Sequence, residues 1–582
     1  MVRYPMATSV SKQKQYTVNF GGLNMTENCR EGEFRETFNL SGENFPIINQ
    51  RATRTPCHTV MGSGESLIPS YAGAQTINIC ARNGLISTIY FPNEIEDSRY
   101  MTIWEYIEDG QIKGGGLCFS PQKPKAVVAI TDSVIVFPLG QMLSVGEEGT
   151  VSKNLKETFS ATSVGGTWVF GEFTKEQNGT EKIYGIGAQE YFSSDFPFSQ
   201  GDTVKIEGCS ETVNNKYATI RGEITTGWTE NVEFHVIPFD YNIFEHAYET
   251  SFTLSKTIPD FDFAVEWNNR IWGLAGDTIY ASALGDPSNY FRYDGTATDS
   301  WAVAIGSAGD FTGMAAFGDQ LLLFKENCIH RIYGSTPSSF SLTTITAPGV
   351  QLGSEKSICN VRSVLYYKAP DGVYAYDGSF PVKVSDNITG LYAEAVAGSD
   401  GERYYISMKD SSDKWGLYVY NTLYGTWLKE DNTKALAFAY YDNTLFYVDA
   451  ADNTISIPEG DTNYRFRLSA IYRGYKSVYL PSSISDQPFE WSAELCPITE
   501  TTKDKKTYSR LWLRAELTER SWIKTEYSCD GGPWIVAATE KYSDRSPVAD
   551  IPIRPDRCDS FRIRISGYGR VNLRAIVREV GI

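Results

Sequence analysis

Residues 270–281 read RIWGLAGDTIYA, and this stretch decides the fold. Two short runs of apolar and aromatic residues flank the turn Gly276-Asp277, which is typical of two antiparallel strands joined by a tight hairpin. The same arrangement returns at Met314–Phe317 and Leu321–Phe324, on either side of Gly318-Asp319. The chain is therefore predicted to consist of serial β-hairpins.

Hairpins of this kind recur on both sides of that stretch. They lie at residues 76–90, 101–119, 126–137, 363–376, 403–420 and 436–448. The units return about every 35–50 residues, the period of propeller blades. A single hairpin cannot bury both faces, whereas blades stacked around an axis can. We predict an all-β fold with a β-propeller of about six blades, with five or seven as alternatives. A pair of stacked β-sandwiches would also produce serial hairpins.

The hairpin rhythm is interrupted twice. Residues 150–250 change style, with short strands at 204–206 and 218–220, and indicate a small inserted β-domain. After residue 460, Phe561, Ile563 and Ile565 alternate with arginines, the pattern of a strand with one buried and one basic face. The predicted domains are an N-terminal arm at 1–60, the first part of the propeller at 61–149, the inserted β-domain at 150–255, the rest of the propeller at 256–460 and a C-terminal β-sandwich at 461–582.

The charge of the chain is acidic and uneven. Its 582 residues carry 53 Lys and Arg against 71 Asp and Glu, a net charge of −18. Residues 461–582 hold 20 basic and 16 acidic residues, a surplus of +4, so the preceding part carries −22. Proteins that grip nucleic acid need basic residues against the phosphates. The acidic part is compatible with a surface that DNA passes without adhering, and solubility alone also explains such charge.

The ten cysteines are scattered, and no two are closer than about 20 residues. No CxxC pair is present, so zinc-ribbon and thioredoxin-like sites have no support. The first residues lack the apolar core of a signal peptide, and no apolar run is long enough to span a membrane. We therefore expect synthesis in a reducing cytoplasm, with free thiols and no membrane span. The cysteines are Cys29, Cys57, Cys80, Cys118, Cys209, Cys328, Cys359, Cys496, Cys529 and Cys558.

Motifs for catalysis or cofactor binding are missing from the sequence. The four histidines are His58, His235, His246 and His330; none are paired at metal-binding spacing, and there is no HExxH. No G-x-S-x-G elbow and no Walker A sequence occur, and Gly185-Ile186-Gly187 lacks the rest of a dinucleotide loop. We therefore predict no catalytic residue, no metal ligand and no cofactor, and no enzymatic activity.

Acidic turns and tyrosine pairs leave two interpretations open. Carboxylate pairs on propeller loops serve some glycosidases, but Asp is also favoured in turns because it bonds its own backbone. Tyr366-Tyr367, Tyr404-Tyr405 and Tyr440-Tyr441 could stack sugars or bases, but adjacent rings on a strand also arise from packing, one ring inward and one outward. The acidic turn residues are Asp109, Asp277, Asp286, Asp319, Asp371, Asp377, Asp442 and Asp452.

Several segments together resemble one family of virion proteins. The opening NFGGL at 19–23, then Phe38-Asn39-Leu40, Arg51 and Arg54, is similar to the start of phage tail nozzle proteins, also called tail tubular protein B or DNA-stabilisation proteins. The propeller phrases of that group are similar to NRIWG at 269–273, DTIYASALGDPSNY at 277–290, AFGDQLLLFK at 316–325 and IHRIYG at 329–334. GDTVKI at 201–206 resembles their platform domains, and RCDSFRIRISGYG at 557–569 resembles C-terminal modules of phage tail proteins.

This resemblance implies a structural role in the virion tail. It implies a homo-hexameric ring below the portal and adaptor that forms part of the DNA ejection channel and carries fibres or a spike. Double-stranded DNA would pass through the ring without specific binding. The alternatives are a tail-tip or baseplate propeller, a propeller that binds sugar or another receptor, and a propeller glycosidase. The C-terminal module is not a feature of the familiar nozzles, and we expect it to be an attachment point for neighbours.

Overall fold

The computed structural model describes residues 12–581 except 61–75, 83–84, 92–99, 109–110, 121–123, 132, 147–148, 163–166, 191–195, 240–242, 442, 450–465, 473–487, 500–503 and 542–547. Nearly all regular structure in these residues is antiparallel strand. Contacts divide the chain into two compact units. Unit 1 comprises Met1–Tyr90, Glu105–Ile112 and Ala347–Ile582, and unit 2 comprises Phe91–Trp104 and Lys113–Thr346.

The N-terminal segment contributes five strands that pair with distant parts of the chain. They are β1 (Lys12–Thr17), β2 (Phe34–Phe38), β3 (Leu40–Ser41), β4 (Ile48–Gln50) and β5 (Thr53–Val60).

Two four-stranded meanders follow. Propeller sheet 1 contains β6 (Thr76–Arg82), β7 (Leu85–Phe91), β8 (Tyr100–Glu108) and β9 (Gln111–Ser120). Propeller sheet 2 contains β10 (Ala126–Ile130), β11 (Ser133–Phe137), β12 (Gln141–Gly146) and β13 (Gly149–Asn154).

The inserted domain comes next and consists of two sheets that share one core. Its strands are β14 (Glu157–Thr162), β15 (Trp168–Thr174), β16 (Lys182–Ala188), β17 (Thr203–Glu207), β18 (Tyr217–Thr219), β19 (Thr225–Thr229), β20 (Val232–Pro238), β21 (Ala247–Glu249) and β22 (Ser251–Lys256), with a 3₁₀ helix at Thr212–Asn214. One sheet has the order β14-β22-β17-β18, and the other has the order β16-β20-β19-β15-β21 with a further β15–β16 pairing. Phe170, Ile206 and Leu254 lie in their common core.

Four further meanders follow the insertion. Propeller sheet 3 contains β23 (Phe263–Trp267), β24 (Arg270–Ala275), β25 (Thr278–Ala281) and β26 (Trp301–Ala304). Propeller sheet 4 contains β27 (Gly313–Phe317), β28 (Gln320–Lys325), β29 (Cys328–Tyr333) and β30 (Ser341–Thr346). Propeller sheet 5 contains β31 (Cys359–Val361), β32 (Val364–Ala369), β33 (Gly372–Tyr376) and β34 (Val382–Lys383), after a 3₁₀ helix at Glu355–Ser357. Propeller sheet 6 contains β35 (Tyr392–Ser399), β36 (Arg403–Asp410), β37 (Trp415–Asn421) and β38 (Thr426–Asp431).

Propeller sheet 7 joins the two ends of the propeller sequence. It contains β39 (Ala435–Tyr441), β40 (Thr444–Asp449) and β41 (Phe466–Tyr472), and β5 from the N-terminal segment is its fourth strand. The pairing of β5 with β41 therefore connects the beginning of the propeller sequence to its end. The predicted arm therefore belongs partly to the propeller.

The propeller sheets stack face to face within each unit. In unit 2, Phe137 and Ile271 lie in the core between sheets 2 and 3, and Trp272 and Leu323 lie in the core between sheets 3 and 4. In unit 1, sheets 5 and 6 share one core, sheets 6 and 7 share another, and β6 packs beside β39. Because sheets 3 and 6 are covered on both faces, their inner strands are apolar on both sides. The fold is a β-propeller, as the sequence predicts.

The C-terminal module is a sandwich of two antiparallel sheets. Its own strands are β42 (Glu490–Leu495), β43 (Thr507–Leu517), β44 (Trp522–Cys529), β45 (Ile535–Lys541), β46 (Val548–Pro552), β47 (Phe561–Tyr568) and β48 (Val571–Gly581). One sheet has the order β3-β4-β48-β43-β46, with β1 also on β48, and the other has the order β2-β42-β47-β44-β45. Trp491, Phe561 and Leu573 are buried between them.

The blade count and the domain limits differ in detail from the prediction. The described residues contain seven propeller sheets, one of the two alternatives to the predicted six; the eight predicted hairpins give seven sheets because those at 76–90 and 101–119 share one. The limits at 149 and 460 both fall inside the propeller, since β13 belongs to sheet 2 and β41 to sheet 7. Strands β1 to β4 belong to the sandwich, so the arm spans two domains.

Candidate functional site

Some of the residues quoted for the resemblance to nozzle proteins lie at two junctions of the molecule. We call them the sandwich junction, formed by Asn39, Arg51, Arg54, Glu430 and Asp431 in unit 1, and the insert junction, formed by Thr203, Tyr217, Asn289, Phe291 and Asp294 in unit 2. The first lies where the sandwich and the N-terminal segment meet propeller sheets 6 and 7, and the second joins the inserted domain to propeller sheet 3.

Asn39 connects three parts of the chain at the sandwich junction. Its backbone has a φ of 59°, a left-handed conformation that Asn tolerates better than most residues. Its N–H donates to the Glu430 carbonyl at 2.5 Å, and its Nδ2 donates to the Glu490 carbonyl at 2.7 Å. Its Oδ1 accepts a hydrogen bond from Arg51 Nε at 2.8 Å. One small amide thus links the N-terminal segment, the propeller and the sandwich.

Two arginines and two carboxylates form the charged centre of this junction. Arg54 Nη2 lies 2.6 Å from Glu430 Oε2, and Arg54 Nε lies 3.1 Å from Asp431 Oδ2. Arg51 Nε also lies 3.1 Å from Asp431 Oδ2. The carboxylate side chains are 2% and 7% exposed, so the four charges are buried together. Breaking such a set leaves a buried charge without compensation, which is far more costly than losing a surface ion pair.

A β-bulge explains how neighbouring residues of one strand reach the same arginine. Leu417 of β37 pairs with Asp431 of β38, whereas Tyr418 pairs with Lys429, so Glu430 is the extra residue. Consecutive side chains of a regular strand point to opposite faces, and a bulge re-aims one of them. The bulge thereby turns both carboxylates toward Arg54.

The pKa values of these groups follow from burial and from their partners. Burial alone would raise the pKa of Asp431, but Arg54 and Arg51 outweigh it and hold that pKa below its ordinary value of 3.8. Burial alone would lower the pKa of Arg54, but Asp431 and Glu430 raise it instead. Burial and the adjacent Arg54 lower the pKa of Arg51 to about 10, which leaves it charged at neutral pH. The junction therefore remains ionised around neutrality.

Apolar and backbone contacts extend the sandwich junction along β38. Leu428 of β38 lies in the core of the sandwich. Thr37 Oγ1 donates to the Lys429 carbonyl at 3.0 Å and accepts from the Lys429 N–H at 3.0 Å. Leu23 N donates to the Trp427 carbonyl at 2.6 Å. The sandwich is thus docked on sheet 6 by a shared core as well as by charge.

Asn289 is the corresponding amide at the insert junction. It is 2% exposed and lies on the loop between β25 and β26. Its Oδ1 accepts from the Thr203 N–H at 3.0 Å, and its Nδ2 donates to the Gly201 carbonyl at 3.3 Å. The resembling phrases at 201–206 and 277–290 therefore meet through this one side chain.

Ring stacking and an ion pair reinforce the insert junction. The Tyr217 ring of β18 stacks on Phe291 with centroids 4.4 Å apart and planes 16° apart. Arg221 Nη2 lies 2.7 Å from Asp294 Oδ2, which also accepts from Arg292 Nε at 2.8 Å. Burial opposes ionisation of Asp294, but its bonds to Arg292 and Arg221 lower its pKa overall. These contacts lie along the same loop as Asn289.

A buried arginine holds that loop in place. Arg270 is fully buried, and its Nη1 donates to the carbonyls of Ser282 at 2.6 Å and Asp299 at 2.5 Å, while its Nη2 donates to Ala297 at 2.8 Å. Burial lowers the pKa of its guanidinium. The segment NRIWG, which predicted a hairpin and carries part of the resemblance, thus also supplies the arginine that holds the junction loop.

His330 lies between two hydroxyl groups. Its Nε2 lies 2.8 Å from Ser307 Oγ, and its Nδ1 lies 2.7 Å from Thr344 Oγ1. Burial and the nearby Lys325 lower its pKa. A Ser–His–Asp arrangement has a carboxylate at the second ring nitrogen to stabilise the imidazolium, and here that position holds a hydroxyl. The pair therefore lacks the third member of a triad.

The other predicted polar candidates have local partners. Asp286 Oδ1 accepts from Ser288 N at 3.0 Å, and Asp377 Oδ1 accepts from Ser379 N at 3.0 Å, as expected for turn residues. His246 packs against Tyr248. Asp109, Asp442 and Asp452 lie outside the described residues.

The tyrosine pairs are packing elements, but the expected outward ring is also buried. Tyr404 is 0% exposed in the core shared by sheets 5 and 6, and Tyr405 is 1% exposed in the core shared by sheets 6 and 7. The prediction of one inward and one outward ring was wrong here because both faces of sheet 6 are covered. Tyr440 is different, since 43% of it is exposed.

The basic face of the sandwich is partly neutralised. Phe561, Ile563 and Ile565 are buried as predicted. Arg564 Nε lies 3.0 Å from Glu526 Oε2, and the guanidinium lies 4.4 Å from the centre of the Trp534 ring. Within the described ranges, no group of three or more His, Cys, Asp or Glu side chains could hold a metal ion, and no helix is long and apolar enough to cross a membrane.

Glu430 and Asp431 are the residues that sequence reasoning missed. The sequence feature that marks them is TWLKED at 426–431, the residues of strand β38, because two adjacent acidic residues end this strand. Their partners Arg51 and Arg54 were noticed, but Arg54 and Asp431 are 377 positions apart in the sequence.

No family model and no curated protein matches the sequence. Among solved structures, the acylaminoacyl peptidase of Pyrococcus horikoshii is 10% identical with a TM-score of 0.31; the match covers 75% of this chain and 61% of that one, less than two thirds of its length. The β-propeller domain of the Trilobed protease from Pyrococcus furiosus is 9% identical with a TM-score of 0.30, over 70% and 99% of the chains. An exo-β-1,3-galactanase from Phanerochaete chrysosporium is 10% identical with a TM-score of 0.21, over 55% and 96%. Similarity this low carries no functional argument, and the propeller assignment rests on the strand pairing.

Proposed function

We propose that this protein is a structural component of a bacteriophage tail, a nozzle-like ring that forms part of the DNA ejection channel. The observation that supports this most is the sandwich junction. Three residues quoted for the resemblance lie there: Asn39 bonds to the sandwich strand β42, Arg51 pairs with Asp431 of sheet 6, and Arg54 of sheet 7 pairs with Glu430 of sheet 6. A part that bears mechanical load benefits from joints of this kind.

The proposed role is mechanical. The acidic part of the chain, with a net charge of −22, would repel DNA phosphates so that the genome slides past without adhering. The propeller would supply a stiff frame, and both junctions would keep the attached domains in place. The proposed assembly is a homo-hexamer in the virion tail, in contact with an adaptor and with fibres or a spike.

The sandwich is the proposed attachment point for a neighbouring tail protein. Its charge differs from the rest of the chain, with a surplus of +4 over residues 461–582. Its edge strand β45 exposes Ile535 and Val536, which are 48% and 54% accessible. Exposed apolar residues on an edge strand beside basic groups are suited to a protein partner.

The proposal is tested by the assembly state of the purified full-length protein. We expect light scattering to give the mass of about six copies and electron microscopy to show rings, because most soluble homo-oligomers have closed symmetry. A protein that stays monomeric over a wide concentration range, and also when mixed with isolated phage tails, would count against the nozzle.

A receptor-binding propeller is the second candidate. Tyr217 and Tyr293 are 39% and 57% exposed beside Arg292, and exposed aromatic rings next to polar groups are suited to sugars. Retention of the protein on immobilised glycans, lost in Tyr293→Ala and kept in Tyr440→Ala, at an exposed tyrosine of another propeller sheet, would favour this function. The same column with no retention would favour the structural role.

A further inference from the structure

Four free cysteines of the sandwich region lie in two pairs. Cys29 lies near Cys496 and, after burial, adds to the rise in the pKa of Cys496; Cys529 lies near Cys558 and has the same effect on it. The members of the first pair are 467 positions apart and those of the second are 29 apart. Sequence spacing gave no sign of either pair.

Independent contacts place the first pair around one turn. Cys496 follows β42, its N–H donates to the Glu33 carbonyl at 2.9 Å, and its Sγ lies 3.8 Å from the Asn24 carbonyl oxygen. Arg35 Nη1 lies 3.7 Å from Cys29 Sγ and donates to the Thr26 carbonyl at 2.9 Å. The turn between β1 and β2 therefore packs against the end of β42, which brings Cys29 and Cys496 into the same region.

Strand register places the second pair. Cys529 is the last residue of β44 and is opposite Phe561, the first residue of β47. Cys558 lies just before β47 and forms a β-bridge with Lys506. The Asp530 carboxylate accepts the backbone N–H groups of Asp559 and Ser560 at 2.9 Å, which holds the two segments together.

Each pair combines one accessible and one inaccessible thiol. Cys29 and Cys529 are half-buried, whereas Cys496 and Cys558 are 0% exposed. In thiol–disulfide exchange, an accessible thiol can react first with an external disulfide and a neighbouring thiol can then resolve the mixed disulfide. Both pairs have this arrangement.

We propose that Cys29–Cys496 and Cys529–Cys558 are two oxidation sites that form intramolecular disulfides when the protein meets a low-molecular-weight disulfide such as oxidised glutathione. This inference is independent of the proposed tail function. It applies to passage from a reducing to an oxidising compartment.

The exchange is balanced at each pair. The Cys29 thiolate attacks one sulfur of oxidised glutathione and releases one reduced glutathione, which takes up the proton. The Cys496 sulfur then attacks Cys29 Sγ, its proton leaves, and the second reduced glutathione departs. Two protein thiols are oxidised to one disulfide while one glutathione disulfide is reduced to two thiols. The same steps apply to Cys529 and Cys558.

Burial sets the pH dependence of exchange at the second pair, and the two disulfides differ in how much they stabilise the fold. Burial raises the pKa of Cys558 to about 12 and also raises that of Cys529, so little thiolate is present at neutral pH and exchange accelerates as the pH rises. The first disulfide closes a much longer loop than the second. Because cross-link stabilisation grows with the length of the closed loop, we expect the Cys29–Cys496 disulfide to raise the unfolding temperature more.

The test is a peptide map of the native full-length protein after incubation with oxidised glutathione. We expect one peptide pair linking Cys29 to Cys496 and another linking Cys529 to Cys558, each two hydrogens lighter than the reduced peptides and separated again by dithiothreitol. Cys29→Ser should remove only the first link and Cys529→Ser only the second. Cys328→Ser is the matched control, since Cys328 is half-buried beside His330 and should leave both links intact.

Several results would overturn the proposal. One is a map in which Cys29 and Cys529 end only as mixed disulfides with glutathione. Another is linkage of either residue to a different cysteine. A third is four unreacted thiols in the native protein when the same thiols react after denaturation. The peptide map of the wild-type protein tests for both disulfides even if a serine variant fails to fold.

Discussion

Arg54 is the residue on which the sandwich junction depends most. It contacts both Glu430 and Asp431, and those carboxylates have little access to water. Arg54→Ala would leave two buried charges with only Arg51 nearby. We expect a loss of about 3–5 kcal/mol in the free energy of unfolding, measured by chemical denaturation.

A matched surface ion pair gives the control for that substitution. Arg362 Nη2 lies 3.3 Å from Glu402 Oε1, but the two side chains are 44% and 62% exposed. Arg362→Ala should cost about 0–1 kcal/mol, because solvent already screens this pair. Equal losses for Arg362→Ala and Arg54→Ala would show that the junction charges are not buried as described.

The lowered pKa of Asp431 makes the junction sensitive to acid. A carboxyl group whose folded pKa is below its unfolded value stabilises the fold above the unfolded value and ceases to do so as pH falls through the folded value. The ordinary pKa here is 3.8. The stability difference between the wild type and Asp431→Asn should therefore be constant at neutral pH and shrink below about pH 4. Denaturation curves from about pH 7 to about pH 3 measure it. A difference that grows in acid would contradict this sign.

At the scale of strands and sheets, the central feature is that propeller sheet 6 is covered on both faces. Tyr404 Oη donates to the Ser357 carbonyl at 2.7 Å on one side, and Tyr405 Oη donates to Asp400 Oδ2 at 3.0 Å on the other. In a two-layer sandwich, by contrast, one of two adjacent rings would face solvent. The stacking of sheets thus distinguishes the propeller from that alternative.

Because both faces of sheet 6 are covered, we expect truncation of Tyr404 and of Tyr405 to destabilise the fold to a similar extent. Tyr404→Ala and Tyr405→Ala should each cost about 3–5 kcal/mol in unfolding free energy, as expected for truncating a buried aromatic ring. Tyr440→Ala, at a half-exposed position of β39, should change it by no more than about 0.5 kcal/mol. A small effect at either Tyr404 or Tyr405, measured in the same denaturation assay, would show that one face of the sheet is open.

The elements that sequence analysis predicted are those with local signals. Gly276-Asp277 and Gly318-Asp319 mark hairpins because turn residues and flanking apolar runs lie within a dozen positions. Strand β30 was not predicted, since its residues are mostly exposed and show no apolar face. The pairing of β5 with β41 could not be predicted, because register between strands some 400 positions apart leaves no local pattern.

The candidate site was predictable in part for the same reason. The segments that carry the resemblance contain four residues of the two junctions: Asn39, Arg51, Arg54 and Asn289. Sequence alone therefore marks them as candidates. Glu430 and Asp431 depend on a bulge in β38, and the thiol pairs depend on strand register. Features produced by tertiary geometry alone have no counterpart in composition or spacing.

At the scale of the whole molecule, each compact unit contains propeller sheets and one attached domain. The propeller sheets provide the frame, the insert junction holds the inserted domain, and the sandwich junction holds the C-terminal sandwich. Both joints use buried amides and charged groups that have fixed geometry. Fixed geometry of this kind is compatible with the proposed structural role.

The most direct test of the proposed function is whether isolated phage tails contain this chain, where it lies in them and in how many copies. Purified tails would be quantified by mass spectrometry and imaged by electron microscopy with an antibody against the C-terminal sandwich. For the proposed nozzle-like ring we expect about six copies per tail, arranged around the DNA channel with closed cyclic symmetry. Absence of the chain from tails, together with a stable monomer in solution, would contradict it.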